Sequence, residues 1–216
     1  MVSRLEYKYQ DIWHSQLNFA IEQGYISASQ KQQQQLLQYL EILYFWQQHH
    51  NLTTIKPEEY IHKHILDSLV LSNIVKDKVF LDVGTGAGFP GIPLAIFSSC
   101  KHAVLLDSSR KKTSFLLQAI HEIGLDNVAI ENKNVVEYHP VDGFELVVCR
   151  AFAPLAKIIA LVKHTLTTSG SIWAMKASLP DEELNNVNCY YEVKQVKIAN
   201  LDLKRCLVKM VPSKNK

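Results

Sequence analysis

The sequence predicts a doubly wound α/β fold: a Rossmann-like, seven-stranded, mostly parallel sheet with an antiparallel edge pair, preceded by an N-terminal helical extension. Three observations predict it. From Val79 onward, short runs rich in valine, isoleucine and leucine recur, and helix-length segments follow the first, second and fourth of them. That strand, crossover, strand order closes a parallel sheet. The last two runs are joined only by ANLDLK, which suits a hairpin and therefore an antiparallel edge. Ahead of Lys78 the pattern is helical.

The chain of 216 residues, 47% apolar and 20% charged, has the composition of a folded domain and is long enough to bury a sizeable core. The expected division is a helical subdomain at 1–76, a ligand-binding α/β domain at 77–212 and a tail at 213–216. A net charge of +2 is too mild for bulk electrostatic attraction to nucleic acid, so any RNA contact needs a local patch. Cys100, Cys149, Cys189 and Cys206 are scattered without a C-x-x-C pair, which predicts reduced thiols and no metal. The start, MVSRLEYKYQ, is charged where a signal peptide is apolar, and no run reaches membrane-spanning length; the expectation is a cytoplasmic protein without membrane contact.

Each element has its own signal. In QKQQQQLLQYLEILYFWQQHH, Leu36, Leu40, Leu43 and Tyr44 form one helical stripe, widened by Leu37 and Trp46, and the glutamines read as a solvated first turn. YIHKHILDSLVLSNIV continues with Ile61, Ile65, Leu66, Leu69 and Val70, with Pro57 in its first turn and Glu58 and Glu59 on the favourable side of its dipole. His62 and His64 fall on different faces of that helix, which argues against metal binding. Strands are predicted at VFLDV, HAVLLD, NVAIEN, FELVVCR, SIWAMKA, YEVKQVKI and RCLVKMV.

The stretch VFLDVGTGAGFPGIPLA, Val79 to Ala95, carries the chemistry. Its glycines permit a sharp turn and close approach of a ligand to the backbone, as any adenosine-bearing cofactor needs. Asp82 separates the candidates. A carboxylate beside the turn repels a pyrophosphate and favours a cationic ligand end, which S-adenosylmethionine provides; an internal cap of the turn is the alternative role. Asp107, at the end of AVLLD, suits ribose hydroxyls. The fold class expected is therefore that of a class I S-adenosylmethionine methyltransferase.

The fourth strand ends in Cys149-Arg150-Ala151-Phe152-Ala153-Pro154. This is neither the Asn/Asp-Pro-Pro-aromatic run of an adenine amino methyltransferase nor a nucleophilic cysteine in a proline context. Arg150 lies at the strand tip, where open α/β sheets bind ligands, and a salt bridge to Asp82 or Asp107 is its structural alternative.

The motifs HNLTTI, HILDSL, DVGTGAGFPGIPLAI, LLDSSRKK, CRAFAPL and AMKA, in this order between Asn51 and Ala177, resemble the small-subunit (16S) ribosomal RNA guanine-N7 methyltransferases, the RsmG or glucose-inhibited division protein B family. The resemblance implies an S-adenosylmethionine donor and a guanine of 16S RNA as acceptor; the expected setting is the small ribosomal subunit, with the enzyme a monomer. The donor set, by turn and motif position, is Asp82, Gly84, Thr85, Gly86, Gly88, Phe89, Asp107, Val135, Val136 and Arg150. The acceptor set is Arg150, Lys176, Lys63 and Lys112. Where the family has an arginine and a glutamate one residue apart, this chain has Asn134-Val135-Val136, so contacts there are expected from the backbone. Guanine N7 carries a lone pair and no proton, so no general base is expected and catalysis is by orientation. The alternatives are a methyltransferase for another acceptor and a non-catalytic nucleotide-sensing or RNA-binding module.

Overall fold

The computed structural model describes residues 4–179, 181–198 and 203–213. The expected turn ANLDLK lies largely outside the described residues, as does most of the 213–216 tail.

Two helices open the chain, α1 (Arg4–Glu22) and α2 (Gln30–Gln47). A capping box starts α2: Ser29 accepts from the Gln32 backbone, and Gln32 returns a bond to the Ser29 amide. The predicted stripe is buried at Leu36, Leu37, Leu40 and Leu43, together with Tyr39. The glutamines are not merely solvated. Gln32 donates to the Ile96 carbonyl, Gln35 to Ile123 and Gly124, and Gln38 to Glu122. These amides satisfy carbonyls at helix ends that have no partner inside their own helix.

The second predicted helix is broken into pieces: a 3-10 turn at Pro57–Glu59, a π-turn at Ile61–Leu66, then α3 (Asp67–Leu69) and α4 (Ser72–Val75). The breaks accompany polar side chains that must be buried here, His64, Asp67 and Ser68. A π-turn inserted into a helix commonly marks a functional position.

The sheet follows as β1 (Val79–Val83), α5 (Gly91–Phe97), β2 (His102–Leu106), α6 (Arg110–Glu122), β3 (Val128–Glu131), β4 (Phe144–Arg150), α7 (Leu155–Val162), β5 (Leu166–Lys176), α8 (Asp181–Asn185), β6 (Tyr190–Ile198) and β7 (Leu203–Val211). Strand order is β3-β2-β1-β4-β5-β7-β6. The strands β1 to β5 pair in parallel, and β7 pairs antiparallel with both β5 and β6. The crossover from β3 to β4 holds only a 3-10 turn at Val135–Glu137.

Side chains alternate between two cores, as the pleat requires. Phe80, Leu105, Val148 and Met175 pack with Trp13, Leu40 and Ile65 of the N-terminal helices; Leu81, Leu106, Val147 and Ala174 pack with Leu155 and Ile158 of α7. The boundary expected at residue 76 falls just before β1, and apolar packing continues across it. The strand order reverses between β1 and β4, which opens a crevice at their carboxyl ends.

Candidate functional site

Two cavities lie along that crevice. The first, about 560 Å³, is lined by the carboxyl ends of the first four strands: Val83 and Gly84, then Asp107 and Ser108, then Val135 and Val136, then Ala151 and Phe152. This volume lies in the range of small-molecule sites. The second, about 670 Å³, lies between β4, β5, β7 and the Asn51–Ile55 loop. Ala151 and Lys112 border both cavities. Ala151 sits at φ +50°, a left-handed conformation that costs a non-glycine residue about 1–3 kcal/mol and clusters at functional sites.

The glycine loop is held from inside. Asp82 is fully buried; its Oδ2 accepts from Thr85 Oγ1 at 2.7 Å and from the Gly91 amide at 2.8 Å. Burial pushes its carboxyl up to about 6, against the Thr85 and Gly91 bonds that favour the anion. Asp82 thus caps the turn and borders neither cavity, which is the structural alternative for this residue. Gly84 is at φ +67°, and a β-carbon there would meet the Phe152 ring at 2.5 Å. Gly88 is packed as tightly, against Ile92, Leu116 and the Tyr39 hydroxyl.

Of the expected donor contacts, Gly84, Asp107, Val135 and Val136 line the first cavity. Thr85, Gly86, Gly88 and Phe89 are not among its lining residues and belong to the turn itself, and Arg150 borders the second cavity instead. Asp107 accepts from the Gly86 amide through Oδ2 and from the Ser109 amide through Oδ1, which fixes its carboxylate at the cavity edge.

All four expected acceptor residues, Lys63, Lys112, Arg150 and Lys176, line the second cavity. Arg205, which the sequence reading missed, joins them. The predicted alternatives for Arg150, Asp82 and Asp107, are not its ion-pair partners. Asp67, 1% exposed at its side chain, bridges Arg150 Nη1 at 3.0 Å and Arg205 Nε at 2.7 Å. Arg150 also donates to the Lys63 carbonyl and to His64 Nδ1 at 2.9 Å. Burial and the adjacent guanidinium hold His64 down to about 2, so its imidazole is neutral. The ammonium of Lys176 is engaged by Glu183 at 2.6 Å and by the Ala153 carbonyl. Lys63 pairs with Glu59 one turn earlier.

Nothing here resembles a nucleophile. Cys149 is buried and its thiol is pushed up to about 12, chiefly by desolvation. No group of three or more histidine, cysteine or acidic side chains suited to a metal occurs among the described residues. No helix among them is long and apolar enough to cross a membrane.

The Gly84 cradle and the Asp107 carboxylate fit an adenosine-bearing ligand. Fold and cavity together define a class I S-adenosylmethionine-dependent methyltransferase. In agreement, the fold is similar to a SAM-dependent methyltransferase from Aquifex aeolicus, at TM-score 0.56 and 14% identity over 71% of this chain and 93% of that one. It is also similar to M. jannaschii TYW2 in complex with AdoMet, at TM-score 0.53 and 20% identity over 69% of this chain and 75% of that one.

The chain belongs to the GidB family, rRNA small subunit methyltransferase G, whose model matches residues 32–207. Ribosomal RNA small subunit methyltransferase G of Nitrosococcus oceani is 40% identical over 191 residues, covering 87% of this chain and 89% of that protein. The protein of the same name in Aeromonas hydrophila is 43% identical over 169 residues, 78% of this chain and 79% of that one.

Proposed function

We propose that this methyltransferase modifies N7 of a guanine in 16S ribosomal RNA, acting as a monomer on the small ribosomal subunit. One observation carries the reading furthest: the donor cavity and a crevice bordered by five cationic side chains meet at Ala151 and Lys112. A ligand methyl group in the first can thus be aimed at a base seated in the second.

S-adenosylmethionine supplies an electrophilic methyl on a sulfonium. Everything else falls to the chain. The Gly84 backbone, Asp107, Val135 and Val136 are the residues that would hold the donor. Arg150 and Arg205 present guanidinium groups already fixed by Asp67, and Lys63 and Lys112 add positive charge suited to phosphates. Orientation and exclusion of water are the catalytic contributions, and N7 needs no proton removed. A neutral His64 and a protonated Cys149 agree with that chemistry. Single-stranded loop bases can be splayed into such a crevice.

The test is methyl transfer from labelled S-adenosylmethionine to small subunits lacking the modification, with the stripped RNA in parallel, followed by nucleoside analysis. Label in 7-methylguanosine is the expected result, strongest on the particle. Donor binding without label in any ribosomal nucleoside would overturn the acceptor assignment, and light scattering of the active fraction checks the monomer.

A further inference from the structure

The HNLTTI motif has so far no chemical role, and its Thr53 lines the acceptor crevice beside His64 and Arg150. The hydrogen bonds around Thr53 have a fixed direction. Arg150 Nη2 lies 2.9 Å from His64 Nδ1, and a guanidinium can only donate. Nδ1 is therefore the bare nitrogen. In a neutral imidazole the single hydrogen is then on Nε2, which lies 2.8 Å from Thr53 Oγ1 and donates to it. The Ile55 amide donates to the same oxygen at 3.1 Å.

Thr53 Oγ1 thus accepts twice, which uses both of its lone pairs. Its own hydrogen must point in the remaining direction, and no acceptor for it occurs among the described residues. The backbone that carries it cannot swing to find one. Gln47 Oε1 accepts from the Leu52 and Thr53 amides, and Gln47 Nε2 donates to the Thr53 carbonyl at 2.7 Å. A hydroxyl is ordinarily donor and acceptor at once; this one is restricted to donating, and the residue that carries it lines the crevice.

We infer that the Thr53 hydroxyl donates to O6 of the acceptor guanine and so selects guanine over adenine. The inference rests on the guanine-N7 reading and adds to it the residue that reads the base. O6 and N7 lie side by side on one edge of guanine, where adenine presents an N6 amino donor in place of the O6 acceptor. A donor-only group pairs with the first and confronts the second. It is also neutral, so it does not oppose the positive charge that the ring gains as N7 is methylated.

Thr53→Val keeps the side-chain shape and drops the hydroxyl, and Thr53→Ser keeps the hydroxyl. On unmodified small subunits, Thr53→Val is expected to lower kcat/KM about 10- to 100-fold, as for loss of a buried hydrogen bond, with Thr53→Ser within about threefold of wild type and donor affinity unchanged in both. Since valine also strips an acceptor from His64, a second arm changes the substrate. Small subunits are reconstituted with 16S RNA carrying 6-thioguanosine, a weaker acceptor, at the position that wild-type enzyme methylates. The sulfur is expected to cost wild type about tenfold and Thr53→Val much less. Equal losses in both enzymes would mean that the hydroxyl faces a phosphate or only supports His64, and would overturn the inference, as would wild-type turnover by Thr53→Val. Absence of 7-methylguanosine with wild-type enzyme on native subunits would instead overturn the acceptor reading itself.

Discussion

The imidazole of His64 stacks on the phenyl ring of Phe89, with centroids 4.0 Å apart and planes 6° from parallel. The Arg150 guanidinium lies 5.3 Å from the same phenyl centroid. Phe89 therefore joins the glycine loop to residues of the second cavity while lining neither cavity. Phe89→Ala is expected to cost about 3–5 kcal/mol of stability, as for a buried aromatic truncated to a methyl. Phe89→Leu should recover more than half of that in denaturant unfolding while restoring less of the turnover, because a leucine fills the space without offering a face to His64.

Acid and base shift stability in opposite directions through two buried groups. His64 has its ordinary value of 6.5 in the unfolded chain and about 2 in the fold, so its contribution is complete above 6.5 and is lost as pH falls. Asp82 rises from 3.8 to about 6, so its contribution is complete below 3.8 and is lost as pH rises through 6. Between about pH 4 and 6 the two slopes, each about 1.4 kcal/mol per pH unit, oppose one another. His64→Gln should expose the Asp82 slope, with stability falling as pH rises across this window; Asp82→Asn should expose the His64 slope, with stability falling on acidification. Urea midpoints at half-unit steps would check both. Parallel profiles for the two variants would show that these groups do not titrate as described.

Removing Arg150 should affect both folding and turnover. Asp67 would keep only Arg205, and His64 Nδ1 would lose its donor, at a cost of about 1–3 kcal/mol. Arg150→Ala is expected to lower kcat/KM for the RNA substrate about 10- to 100-fold. Arg150→Lys should recover stability better than turnover, since an ammonium cannot reproduce the fork that reaches Asp67, His64 and the crevice at once. Donor affinity by calorimetry should stay near wild type, because Arg150 does not border the donor cavity; a large loss would contradict its placement.

The glycines of the loop are not equivalent. A β-carbon at Gly84 would displace Phe152, which lines the first cavity, whereas at Gly86 its nearest contact is the Gly84 carbonyl at 3.9 Å. Gly84→Ala is expected to weaken donor binding at least tenfold. Gly86→Ala should carry only the strain of a left-handed alanine, about 1–2 kcal/mol of stability. Calorimetric titration of both variants decides the matter, and equal losses would count against a donor seated on Gly84.

On the far side of the donor cavity, His164 Nε2 lies 3.0 Å from the Val135 carbonyl and 3.1 Å from that of Tyr138, bracing the turn that carries Val135 and Val136. His164→Ala should raise KM for S-adenosylmethionine about fivefold, the effect of one hydrogen bond, and leave kcat at saturating donor nearly unchanged. A fall in kcat alone would show that the brace acts on something other than the donor site.

By itself the sequence determined the sheet and the glycine turn after its first strand. Those signals are local: apolar runs of strand length, helical stripes, glycines at fixed spacing before Pro90, and acids at the ends of β1 and β2. The same residues also placed Arg150 and Lys176 at strand tips, because in a parallel sheet the tip of each strand is fixed by where its apolar run stops. Tertiary structure alone decided the partners. Asp67 and Arg205 are 138 positions apart, and nothing in HILDSL or KRCLVK announces their ion pair. The glutamines of α2 looked solvated because their acceptors are carbonyls at and just beyond the ends of α5 and α6, far along the chain. The inward bonds of Asp82 to Thr85 and Gly91 were not legible either, because a sequence shows that a carboxylate is near a turn and not which way it faces. Hydrogen bonds and ion pairs reach only a few ångströms and depend on direction, so they are specified by packing; hydrophobic periodicity is specified by the chain itself.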